Sequence, residues 1–306
     1  MAGLGNSNHV TTAAAGTFIP EVWSDEIIAA YKKNLVLANL VKKMSFKGKK
    51  GDTVHIPSPT RASASAKVQE SQVNLIKNTE GEVVVSIDKH YEYSRMIEDI
   101  TEAQALASLR GFYTEDAGYA LAKQIDTTLV QLARGARSGN AANAQYSGGI
   151  IGSTGAAYTY GTSNAAAIAD QGIRKAIQLL DDQDVPMDGR VLVVPPVARN
   201  SMLGVARFTE QAFRGDGNTL KNGQFGDIYG TTVYVSTNCD TAAGNTASDR
   251  VALMFHRDWA VLVEQLGIRS QTQYKQEYLG TLFTADSLYG VAELRDTSCV
   301  PMVVVA

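Results

Sequence analysis

Residues 53–88 read TVHIPSPTRASASAKVQESQVNLIKNTEGEVVVSID, and the way this stretch divides decides the fold. Thr53-Val54-His55-Ile56 is a short strand pattern stopped by Pro57 and Pro59. Glu82–Asp88 reads as a second strand, and Tyr91–Met96 as a third across a short turn at Asp88-Lys89-His90. Between the first two runs a polar, Ala- and Ser-rich chain from Thr60 to Asn78 with no periodicity. The only large apolar residues around it are Val68, Val73, Leu75 and Ile76. Two strands flanking a coreless excursion describe a β-hairpin arm that projects from a body. An isolated hairpin is marginal in water, so this one requires a neighbour to rest on.

On the N-terminal side, Lys47-Gly48-Lys49-Lys50-Gly51-Asp52 is a turn. Before it, Pro20–Met44 carries Val22, Trp23, Ile27, Ile28, Leu35, Leu37, Leu40 and Val41 at near-helical spacing. Residues 1 to about 17 are small and polar and read as a loose arm. Residues 1–50 hold seven Lys against Glu21, Asp25 and Glu26, a local charge of +4. That excess suits a solvated face or a subunit contact; the Arg interleaved with aromatics that a polyanion site uses is missing.

On the C-terminal side the period turns helical. Asp99-Ile100-Thr101-Glu102 fits a capping box, as does Thr101-Glu102-Ala103-Gln104. Gly111 is expected to separate a short helix from a long one, Phe112–Arg134, on which Leu121, Ile125 and Leu129 share a face. Ser138–Ala169 has no charged residue and reads as loop with a small hairpin. A second helix is expected over Asn164–Asp184, then a buried strand at Val191–Val194 and a helix at Pro196–Leu203 with proline in its first turn. Gly215–Gly230 is a glycine-rich loop, and Thr231–Ser236, Ala252–Phe255, Ile268–Tyr274, Tyr289–Arg295 and Val300–Val305 are strands.

Composition narrows the function classes. The chain has 306 residues, 28 Lys+Arg and 31 Asp+Glu, for a net charge of −3 and a charged fraction of 19%. An average soluble protein carries about 25% charge, so the surface is short of it, as when part is hidden against other subunits. Near-neutral balance argues against a nucleic-acid reader held by a basic face. No apolar run approaches the ~18 residues of a membrane span, and the first Lys is Lys32, so no signal peptide is expected. The expectation is a soluble, intracellularly made chain.

The search for chemistry finds none. His9, His55, His90 and His256 are scattered without metal-ligand spacing. Asp181-Asp182-Gln183-Asp184 fails as a calcium loop, because counting from Asp182 the sixth place is Met187 where a glycine is needed. Gly215-Asp216-Gly217 is followed by a strand and cannot aim helix N–H groups at a phosphate. Cys239 and Cys299 are too few for a disulfide scaffold, and Cys239 has no histidine in a partner context. No enzyme, metal or cofactor is expected; a hydrolase using Asp181, Asp182 or Cys239 is the distant alternative, and an exported surface-layer protein lacks its signal.

The order of these elements resembles the major capsid protein of tailed double-stranded DNA bacteriophages, over nearly the entire chain. The extended loop of that family is matched by Gly48–Ile56 and Glu82–Asp88, and a strand ending in an acidic pair by Tyr91–Asp99. The spine helix is similar to Phe112–Arg134; the helix, strand and helix of the axial domain are similar to Ala165–Leu180, Arg190–Pro196 and Val197–Leu203. A loop and strand at Gly226–Ser236 and the returning strands over Arg269–Val305 complete it, with Gly290-Val291 leading into the last pair. The resemblance implies an α+β fold of the Hong Kong ninety-seven (Johnson) type. Its parts would be an N-terminal arm (1–46), an extended loop (47–90), a peripheral domain (91–163 and 264–306) and an axial domain (164–263).

It further implies a structural subunit that assembles as pentamers and hexamers into an icosahedral virion shell around DNA held non-specifically, built in the host cytoplasm. A separate scaffold protein, a portal protein and a decoration protein are the implied partners, with no membrane. Family members that cross-link join a Lys to an Asn in the late strands, and no Asn lies between Glu264 and Ala306, so no cross-link is expected. An encapsulin-like compartment shell is the alternative with the same fold. Arg61, Lys67 and Glu70 on the arm, with Arg214 and Asp216 in the glycine-rich loop, are the candidates for contacts between subunits.

Overall fold

A computed structural model describes residues 9–10, 37–48, 50–59, 63–67, 69–70, 72–73, 75, 77, 80–99, 108–134, 151–152, 154–156, 165–205, 208, 226–239 and 249–305. Two sheets share one long helix. The first has β1 (His9–Val10), β2 (Lys42–Ser45), β5 (Lys89–Glu98), β11 (Ala260–Lys275) and β12 (Gly280–Glu293), in the order β1-β5-β12-β11-β2. The second has β6 (Ile151–Gly152), β7 (Arg190–Val194), β8 (Asp227–Ile228), β9 (Thr231–Val235), β10 (Arg250–His256) and β13 (Cys299–Val304), ordered β6-β13-β10-β7-β9-β8. A separate ribbon pairs β3 (Thr53–Pro59) with β4 (Glu80–Ser86), antiparallel from Thr53↔Ser86 to Pro59↔Glu80.

The long helix, which follows the one-turn α1 (Leu37–Leu40), is α2 (Ser108–Arg134). Its 27 residues span about 40 Å at 1.5 Å per residue. It runs unbroken through Gly111, against the expectation of a break there. A helical glycine costs only about 1 kcal/mol, which the rest of the helix outweighs. The shared face is real: Leu121 packs with Ile97, Phe283 and Ala285, while Ile125 and Leu129 join Val191, Val193, Leu253, Phe255 and Trp259. The helix therefore lies on the first sheet with one half and reaches the second with the other.

The strands β13, β10 and β7 of the second sheet are buried on both faces, which is why they are continuous apolar runs. Val191, Val193, Val251, Leu253 and Phe255 face α2; Leu192, Val194, Ala252, Met254, Val300 and Met302 face α3 (Asp170–Asp181) and α4 (Pro196–Leu203). The helix expected from Asn164 begins only at Asp170, because the preceding chain is extended: Ala166 bridges Val304, and the Val305 N–H donates to the Ala166 carbonyl. The β8–β9 turn, Tyr229 at φ 51° and Gly230 at φ 78°, has the two positive angles of a tight hairpin. Tyr229 donates to Asp170 Oδ1 at 2.5 Å and so ties that turn to the start of α3.

Other expectations shift. Lys42–Ser45 is strand where helix was expected to Met44, since it pairs parallel with Val261–Glu264. β3 runs through Pro57 and Pro59 rather than stopping. A two-stranded ribbon leaves each strand one free edge, to which prolines two residues apart can turn their nitrogens. The final strand pairs with β10 in the second sheet, Phe255↔Cys299 to Arg250↔Val304, and not with the preceding late strands β11 and β12. Both capping-box alternatives run into residues 100–107, outside those described.

On the first sheet Asp286 is 5% exposed and accepts from Arg269 Nε at 3.0 Å and Nη2 at 2.8 Å, with His90 Nε2 at 3.1 Å. Burial alone would raise its pKa, but the bonds from Arg269 and His90 outweigh burial and hold it below the usual carboxylate value. A depressed folded value stabilises above the unfolded pKa of about 3.9 and is lost as pH falls through the folded one. Asp286→Asn is therefore expected to cost about 1 kcal/mol at pH 7, the half-exposed Arg269 limiting the sum. Urea denaturation should show the difference at pH 7 and its progressive loss as the pH falls below about 3.9 toward the lowered folded value.

Candidate assembly surface

The ribbon is fixed at its root and bare beyond it. Val85 and Ile87 are buried against Val261 and Val263, with Val54, Ile56 and Leu288 packed around them. The Ile87 N–H donates to the Asp52 carbonyl at 2.8 Å, and Gln265 Nε2 to the Gly51 carbonyl at 3.0 Å. Gly290 of β12 passes so close beneath β4 that a Cβ there would overlap the Ser86 carbonyl oxygen. Along the ribbon, His55 Nδ1 meets Glu82 Oε2 at 3.0 Å across the strands. Past Pro59 every described residue up to Lys77 is exposed, Leu75 at 90% and Val73 at 67%.

Of the contact candidates, Lys67 and Glu70 are exposed on this loop, and Glu70 holds φ 61°, rare for a residue with a side chain. Arg61, Arg214 and Asp216 lie outside the described residues. Sequence reasoning missed a cluster where β5 meets α2. The Tyr93 hydroxyl donates to Asp116 Oδ2 at 2.7 Å and accepts from Arg95 Nε at 3.1 Å. The Arg95 guanidinium lies 5.5 Å from the Tyr93 ring centroid and 5.9 Å from that of Tyr113. Burial, then the bond to Asp116, raises the Tyr93 pKa, and the bond to Tyr93 raises that of Arg95. The alternation Tyr91, Tyr93, Arg95 was the available signal, but Tyr113 and Asp116 sit on another element. A second missed feature is Leu279, 65% exposed at the tip joining β11 to β12.

Among the described residues no group of three or more His, Cys, Asp or Glu is placed to hold a metal ion, and no helix is long and apolar enough to cross a membrane. Cys299 is a fully buried thiol, its pKa pushed up by burial.

The profile of the phage capsid protein family matches residues 94–295, about two thirds of the chain. The chain belongs to that family. No curated protein matches it. Among solved structures it is similar to a chain from Mycobacterium phage Che8, at 22% identity and TM-score 0.69, covering 88% of this chain and 90% of that one. It is similar also to the capsid of cyanophage P-SCSP1u, at 19% identity and TM-score 0.68, covering 88% of each. The virus-like particle of Pyrococcus furiosus is more distant, at 10% identity and TM-score 0.55, covering 92% of this chain and 98% of that one. The fold is thus the α+β Hong Kong ninety-seven type of the phage capsids. This phage capsid protein is a structural shell subunit of the virion.

Proposed function

We propose that this capsid protein is a non-enzymatic subunit that closes into an icosahedral shell of pentamers and hexamers around double-stranded DNA. The observation that carries this is the ribbon: a root locked to β11 and β12, and a loop whose described side chains are all exposed. A subunit that folded to stay alone would gain nothing from ordering such an arm. Laid on the next copy, the same arm makes a heterologous contact that closes into rings. Many such contacts strengthen one another through multivalency.

The proposed division keeps an N-terminal arm (1–46), an extended loop (47–90), a peripheral part built on the first sheet and an axial part built on the second. In this proposed division residues 299–304 go with the axial part, a reading supported by the pairing of β13 with β10. A separate scaffold protein, a portal protein, packaged DNA held non-specifically and a decoration protein are the proposed partners, with assembly in the host cytoplasm. The compartment-shell alternative is supported only by the more distant likeness to the Pyrococcus furiosus particle.

The test is sedimentation and negative-stain microscopy of the purified chain, alone and co-expressed with scaffold. Rings or closed shells are the expected result. A monomer under every condition overturns the proposal.

A further inference from the structure

Arg95 is an exposed cation held in place with part of its bonding capacity unspent. Its Nε is committed to the Tyr93 hydroxyl, and its plane is flanked by the Tyr93 and Tyr113 rings. Its two terminal amino groups make no hydrogen bond or ion pair among the described residues, although Asp116 is near enough to act on it through space. Terminal N–H groups in a fixed fork match the two oxygens of a carboxylate. Because the side chain is already ordered, a carboxylate arriving there meets little further entropy cost. Arg and Tyr are also the residues that dominate protein interfaces when they are held this way.

The complementary group lies on the loop. Glu70 is exposed at a turn with φ 61°, and no bond to its carboxylate is made by any described residue. Glu82 is engaged with His55, and Glu80 belongs to the ribbon itself. Beside Glu70 along the chain stand the exposed Val73 and Leu75, apolar surface suited to cover tyrosine rings.

We propose that the Glu70 carboxylate of one subunit seats on the Arg95 guanidinium of the neighbouring subunit, with Val73 and Leu75 laid over Tyr93 and Tyr113. The proposal rests on the reading that the loop lies on a neighbouring copy, and goes beyond it by naming the seat. The positive φ of Glu70 then has a use, since it turns the side chain outward at the place of contact.

The experiment compares full-length variants, each checked by thermal melt as a folded subunit, for shell yield by sedimentation. Glu70→Arg and Arg95→Glu should each lower the yield about tenfold or more, as loss of a central interface contact does. Combined in one chain they should restore it. Should Arg95→Glu fail to fold, Glu70→Cys and Arg95→Cys subunits are mixed, assembled and treated with a short bismaleimide. A covalent dimer is expected, and none when Glu80→Cys replaces Glu70→Cys; Cys239 and Cys299 are buried and give no background. Two results overturn the seat while leaving the loop reading intact: single variants that assemble normally, or neither rescue nor cross-link, in either case with loop-excised protein still unable to close. Loop-excised protein that closes into normal shells overturns the loop reading and the seat with it.

Discussion

Excising residues 60–79 and joining Pro59 to Glu80 through a short Gly-Ser turn is expected to abolish closed shells and to leave the subunit folded. Pro59 and Glu80 are the last paired residues of the ribbon, so a short flexible turn can bridge them without imposing a register on the pair. The described residues removed are all exposed, so the cores lose nothing from them. The root survives too, because Val54, Ile56, Val85 and Ile87 remain against Val261 and Val263. Far-UV circular dichroism and the thermal melt should change little. Assembly should fail outright, since every subunit loses the same contact and the loss multiplies around the shell. In intact protein the same loop should be the first site of proteolysis in free subunits and be protected in shells. An excised protein that closes normally, or one that no longer folds, contradicts the reading.

The hairpin was legible because two β-rich runs enclose a stretch that has nothing to bury, and composition alone exposes that contrast. The spine was legible from its three- and four-residue spacing, and the second sheet from runs such as Val191–Val194 that are apolar at every position. What failed was punctuation. Pro57 and Pro59 looked like a stop, yet a ribbon tolerates them; Gly111 looked like a break, yet it sits inside α2. Pairing between distant segments was not legible at all. Lys42–Ser45 becomes strand only because β11 lies beside it, and Cys299–Val304 joins the second sheet only because β10 does. The same reason hid part of the surface. Lys67 and Glu70 could be proposed from the loop alone, whereas the proposed seat at Arg95 needs Tyr113 and Asp116, which the fold brings from another element.

Gly290→Val is expected to be the most damaging single substitution at the ribbon root. In sequence this glycine marks only the lead into the last strands; in the fold it is where β12 passes beneath β4. A Cβ there would overlap the Ser86 carbonyl oxygen and come within 3.1 Å of both Ser86 C and Ile87 Cα. These are backbone atoms of a paired strand, so no side-chain rotation relieves them. Either the backbone strains, at about 1–3 kcal/mol, or β4 lifts from β12. Lifting would uncover Val85 and Ile87, now 0% and 7% exposed, each worth about 1.5–3 kcal/mol of burial. The cheaper response sets the loss, and against backbone atoms it is expected at the top of the strain range, about 3 kcal/mol. For a chain of this size that lowers the melting temperature by roughly 5 °C, read by calorimetry on free subunits. Gly267→Ala is the control, because its Cβ would meet only the end of the Lys47 side chain, Nζ at 3.1 Å, which can swing away. The two substitutions should separate cleanly, Gly267→Ala melting with the parent. If Gly290→Val melts there as well, the ribbon is not locked to β12. A flexible tether could not deliver the loop to a neighbour in one orientation, and the shell contact would have to be sought elsewhere on the subunit.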